Sequence, residues 1–450
     1  MRNDNRKKIS SKAEKIIIAD IILALLLLIT LILSGVTGKA KKSSSDADKA
    51  AANSQIEYGQ SAANDTIQDG VHDSAATQAE ENGIAAEQAE AERIAAQQAE
   101  AERIAAEQAQ AEVTVRLTMA GDYLLNGIVN NNCITEYGYD YNGIFQNVAP
   151  YLTGYDLKII NEETPCGGAE YGISGYPTFN SPHEAQDAIA NAGFNLVCLA
   201  TNHMLDMGTD PLCSTLNYWR EAYPWMLTVG AYDSQEASDQ LCYYEKDGFR
   251  IAVLNYTYDS NAGSGIYYDA PFCLNMLEEE SVRQDIQLAK QTSDYVIVCP
   301  HWGTEYLLDY DDYQYEWAQI FLQEGVDLVL GTHSHCPEPI EIYTRDDGHQ
   351  MICYYSLGNF ISGQENAFSL VGCMADVTLR KTAQGVVVDD YGIVPIVTHK
   401  SPYYFSTYLL KDYSDEMIYS GSDIYTDPEF SWGYCTDLVT SMYGDRLRNF

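Results

Sequence analysis

The chain has 450 residues, of which 46% are apolar and 11% aromatic, enough for at least one large core. It carries 26 Lys and Arg against 65 Asp and Glu, a formal net charge of −39. A duplex DNA or RNA binder needs a basic face that releases phosphate counterions, so nucleic acid is excluded as a partner. The same acidity argues against long-range electrostatic capture of any polyanion.

The N-terminus contains the longest apolar run, IIIADIILALLLLITLIL, preceded by a basic segment. At about 1.5 Å per residue, a helix of this length covers roughly 27 Å, the thickness of a bilayer core. We therefore predict a basic cytoplasmic tail at 1–15 and a transmembrane signal anchor at 16–34, with the rest of the chain outside the cell. A cleaved signal peptide is the alternative, disfavoured because Ser34-Gly35-Val36 is a poor cleavage pattern. A buried core helix is less favoured still.

Two low-complexity segments follow the apolar run. Residues 35–83 are rich in Ser, Ala and Asp, too polar to bury a core, and are predicted to be a disordered linker. Residues 84–112 contain a ten-residue repeat, IAAEQAEAER and its variants, built from strong helix formers. Each repeat advances a helix by about 1000°, which moves the Ile positions off any heptad seam. A solvated single-helix stalk is therefore favoured over a coiled coil.

Residues 113–450 alternate short apolar runs with helix-compatible segments, the pattern of an α/β layered fold. The predicted strands are Val113–Met119, Leu157–Ile160, Leu196–Leu199, Ile251–Leu254, Tyr295–Cys299, Leu328–Leu330 and Met351–Tyr355, with antiparallel additions at Asp376–Leu379 and Gly385–Val394. The predicted helices are His183–Ala192, Pro211–Ala222, Leu277–Thr292 and Tyr313–Glu324. The main domain is assigned to 113–410, and 411–450 is taken as a Tyr- and Asp-rich C-terminal extension.

The 11 cysteines do not define a disulfide framework, since their number is odd and no C-x2-C pair occurs. Cys198, Cys299 and Cys353 lie within apolar strand-like runs, and we predict that these three are buried free thiols. A structural zinc site built from cysteines is unsupported.

Polar side chains with the chemistry of metal ligands follow five of the predicted strands where each strand ends. In chain order they are Asp122, Asn161-Glu162-Glu163, Asn202-His203 with Asp206, His301 through Glu305, and His333-Ser334-His335. Because the carboxyl ends of strands in an α/β sheet share one edge, we expect these side chains to lie close together. Carboxylates, an amide and imidazoles suit a hard-to-borderline metal ion. The sequence therefore predicts a metal site at that edge.

Each of these motifs also has an ordinary structural interpretation. The alternatives are a hydrogen-bonded Asp122, a cap at Glu163, an N-cap at His203 and a solvated helix start at Glu305. The His333-x-His335 motif is more specific, because alternation along an extended chain would point both imidazoles the same way. The coincidence of five such motifs, all at strand ends, favours the metal site.

Together the motifs resemble the CapA-type family of capsule and poly-γ-glutamate biosynthesis proteins, relatives of the calcineurin-like metallophosphoesterases. The segments that carry the resemblance are GDYLL, YDYNGIFQNVAPYL, NEETPCGG, GYPTFNSPHEAQDAIANAGFNLVCLATNHMLDMG, VCPHWGTEY, GVDLVLGTHSHCPEPIE and YYSLGNF. They lie within 113–410 and follow the family's order. The resemblance implies a four-layer α/β/β/α metallophosphatase-like sandwich with a two-metal centre between the sheet edges.

The resemblance also implies roles for individual residues. The implied metal ligands are Asp122, the bridging Glu163, the amide of Asn202, His301 and His333 on a second metal, and His335 on the first. His203 would act as a general acid or stabilise a transferring group, with Asp206 orienting it. The cofactors would be one or two divalent ions of Mn, Zn, Fe or Mg. Ser356, Gly358 and Asn359 match the family's Ser-Leu-Gly-Asn-Phe signature and are expected to shape the floor of the site.

The sequence departs from the family pattern at three places. Leu124 replaces the histidine of the metallophosphatase Asp-x-His opening, and Asn126 stands at a position that is commonly a better ligand. Glu162 stands where leucine is usual, so the bridging carboxylate is either Glu162 or Glu163. A one-metal centre and a degenerate centre both stay open.

The apolar run and its basic flank predict a protein of the cell membrane with a single span, a cytoplasmic N-terminus and an extracellular main domain, and the resemblance implies its function. It would act in synthesis, export or anchoring of an anionic capsule polymer such as poly-γ-glutamate. Its partners would be the membrane, a capsule polymer or envelope glycopolymer, and membrane synthase subunits. The alternatives are a metal-dependent phosphoesterase or amide hydrolase acting on cell-envelope material, and a non-catalytic scaffold with a degenerate metal site.

Overall fold

The computed structural model describes residues 86, 88–100, 103, 112–261, 270–401, 404–420 and 427–448. The predicted cytoplasmic tail, signal anchor and linker all lie outside these residues. Residues 88–100 are helical, and Arg93 pairs with Glu90 over 2.7 Å on their exposed surface. Among the residues described, no helix combines the length and apolar character that a bilayer crossing requires.

The part of the chain from residue 112 onward alternates strands and helices. The strands are β1 (Val113–Tyr123), β2 (Ile134–Thr135), β3 (Gly138–Tyr139), β4 (Leu157–Glu162), β5 (Leu196–Cys198), β6 (Leu227–Val229), β7 (Cys242–Lys246), β8 (Phe249–Thr257), β9 (Tyr295–His301), β10 (Leu328–Leu330), β11 (Ile340–Thr344), β12 (Gln350–Tyr354), β13 (Asn359–Ile361), β14 (Val371–Thr382), β15 (Gly385–Lys400) and β16 (Phe405–Leu409). The helices are α1 (Gly127–Asn132), α2 (Asn142–Phe145), α3 (Ala149–Leu152), α4 (Glu184–Ala192), α5 (Thr209–Ala222), α6 (Gln235–Ser238), α7 (Glu279–Thr292), α8 (Asp312–Glu324), α9 (Asp415–Ser420) and α10 (Trp432–Tyr443). Every predicted strand and helix is present, with its ends shifted by a few residues.

The strands form two mixed sheets and one small hairpin. The first sheet has the order β16-β15-β14-β1-β4-β5-β6, and β13 pairs with β1. Within it β1, β4, β5 and β6 are parallel, whereas β14, β15 and β16 are antiparallel, as predicted for the two late strands. The second sheet has the order β11-β12-β10-β9-β8-β7, with β8, β9, β10 and β12 parallel. Each parallel segment brings its carboxyl ends to one edge of its sheet.

Alternation along the strands separates four layers. On β1, Leu117 and Met119 pack between the two sheets, whereas Ala120 belongs to the cluster that includes α4 and α5. On β8, Val253 packs between the sheets, whereas Leu254 belongs to the cluster that includes α7 and α8. Because successive side chains of a strand point to opposite faces, each sheet is covered by the other sheet on one side and by helices on the other. This is the predicted α/β/β/α order.

The described part of the C-terminal segment, predicted as an extension from residue 411, packs against the main domain. Cys435, Val439 and Tyr443 lie at helical spacing on α10 and are buried in the core between the sheets. Tyr413 belongs to the same core. The Tyr443 hydroxyl donates to the carbonyl oxygen of Glu338 over 2.8 Å. Residues 413–420 and 427–443 are therefore part of the fold, although their high Tyr and Asp content gave no clear sign of it in the sequence.

The cysteines carry free thiols in the described part of the chain. Cys198, Cys299 and Cys353 are buried, as predicted. Burial raises the pKa of the Cys198 and Cys353 thiols well above their usual range, which disfavours the reactive thiolate. These cysteines therefore serve packing.

Candidate metal centre

The carboxyl ends of five parallel strands, three from the first sheet and two from the second, meet at one place between the sheets. The candidate ligands sit at or just after those ends, with Asp122 in β1, Glu163 after β4, Asn202 and His203 after β5, His301 at the end of β9, and His333 and His335 after β10. All of them are buried, and His203 is the most exposed at 6%. The residues predicted from five separate motifs thus form a single cluster.

Glu163 lies at the middle of this cluster. Its Oε1 atom is 3.8 Å from His301 Nε2 and 3.7 Å from His335 Nε2. Donor atoms of Glu163, His333 and His335 all lie within 4.8 Å of one another. Both carboxylate oxygens of Glu163 are buried without a hydrogen-bond partner, and burial raises the pKa of this carboxyl well above its usual range. A buried carboxylate in this state is costly unless a cation neutralises it.

His301 joins the two sheets across the centre. Its Nε2 atom lies 3.0 Å from Asn202 Oδ1 and 3.2 Å from His333 Nδ1, while its Nδ1 atom lies 3.0 Å from Thr332 Oγ1. A proton on Nδ1 is then held by Thr332, and the Nε2 lone pair faces two other lone-pair atoms. Burial and the neighbouring imidazoles lower the pKa of His301 well below its usual range, which favours the neutral, ligating form. Converging lone pairs at these spacings fit a divalent ion.

Asp122 has a different environment from Glu163. Its Oδ1 atom accepts a hydrogen bond from Asn161 Nδ2 over 2.9 Å. Its Oδ2 atom accepts from the backbone N–H of His333 over 3.3 Å and lies 3.1 Å from His335 Nδ1. Asn359 Oδ1 lies 3.2 Å from the same His335 nitrogen. Asp122 is therefore fully engaged with protein donors.

The His-x-His segment is not extended, so the reason given for its geometry is wrong. His333 and His335 have φ values of 99° and 60°, in the left-handed region that residues other than glycine seldom occupy. Both rings still face Glu163, because the chain coils here after β10 ends. Burial opposes a charge on His335, but the carboxylates of Glu163 and Asp122 outweigh it and raise the pKa of His335 to about 9.

His203 and Asp206 form an oriented pair beside the centre. The Nδ1 atom of His203 lies 2.8 Å from Asp206 Oδ2, which also accepts the backbone N–H of Phe179 over 2.9 Å. The Phe179 ring packs edge-on against the His203 imidazole, with centroids 4.6 Å apart. Asn261 Nδ2 lies within 3.4 Å of both ring nitrogens. The predicted orienting contact between Asp206 and His203 is present.

Glu162, the other candidate for the bridging carboxylate, faces the helical layer. Its Oε2 atom accepts a hydrogen bond from the indole N–H of Trp219 over 2.8 Å. Burial raises the pKa of Glu162 to about 7. The alternation of side chains along β4 therefore assigns the central position to Glu163.

Several residues that support the candidate ligands had no such role predicted from the sequence. Asn161 was named in a strand-end motif without a role of its own, and Thr332 stands directly before His333, a position that could have revealed it. Asn359 was expected only to shape the floor, yet it contacts His335 directly. Tyr258 packs its ring on His333 at 4.5 Å, and nothing in its Tyr-rich surroundings distinguished it.

Solved structures resemble the chain with low TM-scores and low sequence identity. The calcineurin-like phosphoesterase YfkN from Bacillus subtilis aligns with a TM-score of 0.39 and 14% identity, over 63% of this chain and 91% of that one. A putative 5'-nucleotidase from Staphylococcus aureus aligns with a TM-score of 0.40 and 14% identity, over 69% of this chain and 58% of that one.

Two curated relatives match at the level of sequence. The capsule biosynthesis protein CapA of Bacillus anthracis is 30% identical over 260 residues, 55% of this chain and 60% of the relative. The PGA biosynthesis protein CapA of Bacillus subtilis (strain 168) is 27% identical over 263 residues, 57% of this chain and 66% of the relative. The matches thus span less than two thirds of each relative's own length.

The family model described as bacterial capsule synthesis protein PGA_cap matches residues 116–364, more than half of the chain. The matched range begins in β1 and ends after β13, so it includes every strand end that contributes to the centre. The chain belongs to the PGA_cap family of bacterial capsule synthesis proteins.

Proposed function

We propose that this chain is a membrane-anchored extracytoplasmic protein that binds a divalent metal and acts in the synthesis, export or anchoring of an anionic capsule polymer such as poly-γ-glutamate. Family membership supports the capsule role, and the names of the two Bacillus relatives support a polymer of this kind. The basic segment and the apolar run at 16–34 support the anchor.

The observation that carries the metal dependence is the state of Glu163. Both its oxygens are buried and without a hydrogen-bond partner, and the Nε2 atoms of His301 and His335 face it at 3.8 and 3.7 Å. A divalent ion bound here supplies the missing positive charge, lowers the pKa of coordinated water and polarises a phosphoryl or carbonyl oxygen. The chain itself supplies the oriented donors and a site closed to bulk water.

An acidic chain does not attract a polyanion from a distance, so any capture of the polymer must be local. The charged groups that act on Glu163 include Asp122, Glu305 and Asp206, all carboxylates, besides His335. The bound ion is then the positive charge that one carboxylate or phosphate of a polymer would meet. Recognition of a single anionic group at the centre fits a protein that handles one polymer end or one bond at a time.

A second candidate function is hydrolysis of a phosphoester or an amide in cell-envelope material. The pair formed by His203 and Asp206 favours it, because the carboxylate holds one ring nitrogen at 2.8 Å and so fixes the orientation of the imidazole. In this function His203 would hold the proton that the leaving group receives, and Asp206 would stabilise the resulting positive charge.

The test uses the full chain, purified in detergent, together with a host strain from which its gene has been removed. Metal content of the purified chain and polymer on the cell surface are measured for the wild type and for Glu163→Gln. We expect bound metal and restored polymer with the wild type, and loss of both with the variant. If the wild-type protein contains no metal and still restores the polymer, the metal dependence is overturned, and a non-catalytic scaffold becomes the favoured function. Unaltered polymer in the deletion strain would overturn the capsule role.

Hydrolysis is measured separately on the same purified chain, with a chromogenic phosphodiester and with poly-γ-glutamate as substrates. Turnover that depends on added divalent metal and disappears in His203→Ala favours the second candidate. Bound metal without turnover of either substrate favours the first.

A further inference from the structure

We infer that the centre holds one divalent ion per chain, and that Asp122 is a positioning residue for the loop carrying His333 and His335. This inference rests on the proposed metal dependence and specifies it. The family resemblance implies two ions with Asp122 as a ligand of the first, so the inference departs from that expectation.

The donors for one ion are complete around Glu163. Asn202 Oδ1 and His333 Nδ1 lie 3.0 and 3.2 Å from His301 Nε2, and Glu163 Oε1 lies 3.8 Å from it. Ligand atoms bound to one ion at about 2.0–2.2 Å lie roughly 3.0–3.5 Å apart, so small movements suffice to close this set. Two imidazoles, an amide oxygen and a carboxylate make a four-donor site that leaves a divalent ion with one unit of positive charge.

The two carboxylates of the centre differ in their hydrogen bonds. Both oxygens of Glu163 are buried and have no hydrogen-bond partner. Neither oxygen of Asp122 is in this state, although Asp122 is equally buried. We expect a buried carboxylate that binds a cation to accept few hydrogen bonds from the protein. A carboxylate that accepts such hydrogen bonds already has the cost of its burial reduced without a metal.

One oxygen of Asp122, Oδ2, holds the segment that carries His333 and His335 in place. Oδ2 accepts the backbone N–H of His333, whose φ of 99° keeps the segment coiled. The same oxygen and Asn359 Oδ1 both face Nδ1 of His335, which turns Nε2 of that ring toward Glu163. This is the carboxylate–histidine arrangement that orients metal-site imidazoles from outside the coordination sphere.

A second ion lacks the donors it would need. Leu124 occupies the position of the expected histidine, is only 4% exposed, and has no ligating atom. Its backbone N–H donates to the carbonyl oxygen of Ile361 over 3.0 Å, which anchors this part of the chain. The side chain of Asn126 lies against Gly363, where a Cβ atom would be 2.3 Å from its Oδ1. The Oδ1 atom of Asn126 is buried without a hydrogen-bond partner. Among the described residues, a second ion would therefore have Asp122, His335 and this one amide oxygen beside the shared Glu163.

The test is metal stoichiometry and the electron paramagnetic resonance spectrum of the full chain loaded with Mn²⁺. We expect one ion per chain and the spectrum of an isolated Mn²⁺ ion. Two ions per chain with an exchange-coupled spectrum would overturn this inference while leaving the metal dependence intact. Absence of bound metal in the wild type would overturn the proposed function itself, so the two failures are distinguishable.

Variants separate a ligand from a positioning residue. Glu163→Gln is expected to abolish binding, whereas Asp122→Asn is expected to retain one ion per chain with an affinity lowered by about 10–100-fold, the usual effect of losing an orienting partner. Asp376→Asn is the matched control, because it removes a buried carboxylate that pairs with Arg116 in the first sheet, and it should leave binding unchanged. Loss of bound metal in Asp122→Asn, in protein whose circular dichroism matches the wild type, would show that Asp122 is a ligand and overturn the inference.

Discussion

A Cβ atom placed on Gly121 would lie 1.8 Å from the carbonyl oxygen of Gly358. The same carbonyl accepts the backbone N–H of Asp122 over 2.9 Å, and Gly358 itself has a φ of 64°. The first strand therefore approaches the segment before β13 so closely that only a residue without a side chain fits. This approach fixes the backbone of Asp122 and, through it, the loop that carries two of the candidate ligands.

Replacing Gly121 with alanine is expected to destabilise the fold by about 1–3 kcal/mol or more, because backbone must move to admit the methyl group. Urea unfolding followed by circular dichroism measures the change. Gly143→Ala is the matched control, since a Cβ at that position meets no atom within 4 Å and its φ is not left-handed. Equal midpoints for Gly121→Ala and the wild type would contradict the close approach seen here.

Substitutions of the adjacent carboxylates Glu162 and Glu163 are expected to have opposite effects on metal binding. Glu163→Gln removes the carboxylate that has no hydrogen-bond partner in the protein and faces His301 and His335, so the variant is expected to bind no divalent metal above background. Glu162→Gln keeps a side chain that accepts the Trp219 hydrogen bond, and its metal content is expected to equal that of the wild type. Metal analysis after dialysis measures both. The assignment of Glu163 fails if the two variants lose metal to the same extent.

Much of the fold was predictable because buried strands require runs of apolar residues, which are visible in the sequence. The strands β9 and β10 begin as continuous apolar runs, and they were found because both faces of a central parallel strand are covered. The partly exposed strands β7 and β16 carry no such run, and they were missed. The helix α10 was missed for another reason: its buried positions include Cys435, Val439 and Tyr443, and polar residues lie between them.

The candidate site was predictable as a set of residues but not as a geometry. Strand-end placement predicted that His301 and Asn202 lie close together. They follow strands of different sheets, and they meet because the carboxyl ends of both sheets face the same centre. Sequence could not distinguish Asp122 from Glu163, since both are carboxylates at strand ends. The difference is that Asp122 accepts hydrogen bonds from Asn161 and from the backbone N–H of His333. No pattern in the sequence predicts the left-handed backbone that places this N–H.

The orienting pair predicts a graded loss of turnover, should the chain hydrolyse a phosphodiester. His203→Ala is expected to lower kcat by about 10²–10⁴-fold, the usual contribution of a general acid, while metal content stays at the wild-type level. Asp206→Asn is expected to lower kcat less, because the imidazole is retained but loses its orienting charge. Steady-state kinetics and metal analysis on the same preparations measure both effects. Equal kcat values for His203→Ala and the wild type would exclude His203 from proton transfer.

Glu338 predicts a pH dependence of stability outside the metal centre. Its carboxyl is buried, with Oε2 accepting the Gln314 amide over 2.7 Å and Oε1 without a hydrogen-bond partner. Burial raises the pKa of Glu338 from the usual 4.5 to about 8 despite that hydrogen bond. Between these two values the folded chain binds a proton that the unfolded chain releases. The contribution of Glu338 to the free energy of unfolding therefore falls as pH rises from about 4.5 to about 8.

The variant Glu338→Gln keeps an amide oxygen that accepts the Gln314 hydrogen bond, but it cannot ionise. Its stability should therefore lack the pH dependence that Glu338 contributes. We expect the stability of the variant relative to the wild type to increase across that pH window by an amount on the order of a few kcal/mol, since each pKa unit corresponds to about 1.4 kcal/mol. Because both proteins share every other titrating group, the difference isolates Glu338. Thermal unfolding at several pH values measures it, with the half-buried Glu341→Gln as control. A difference between variant and wild type that stays constant with pH would show that Glu338 ionises normally in the folded chain.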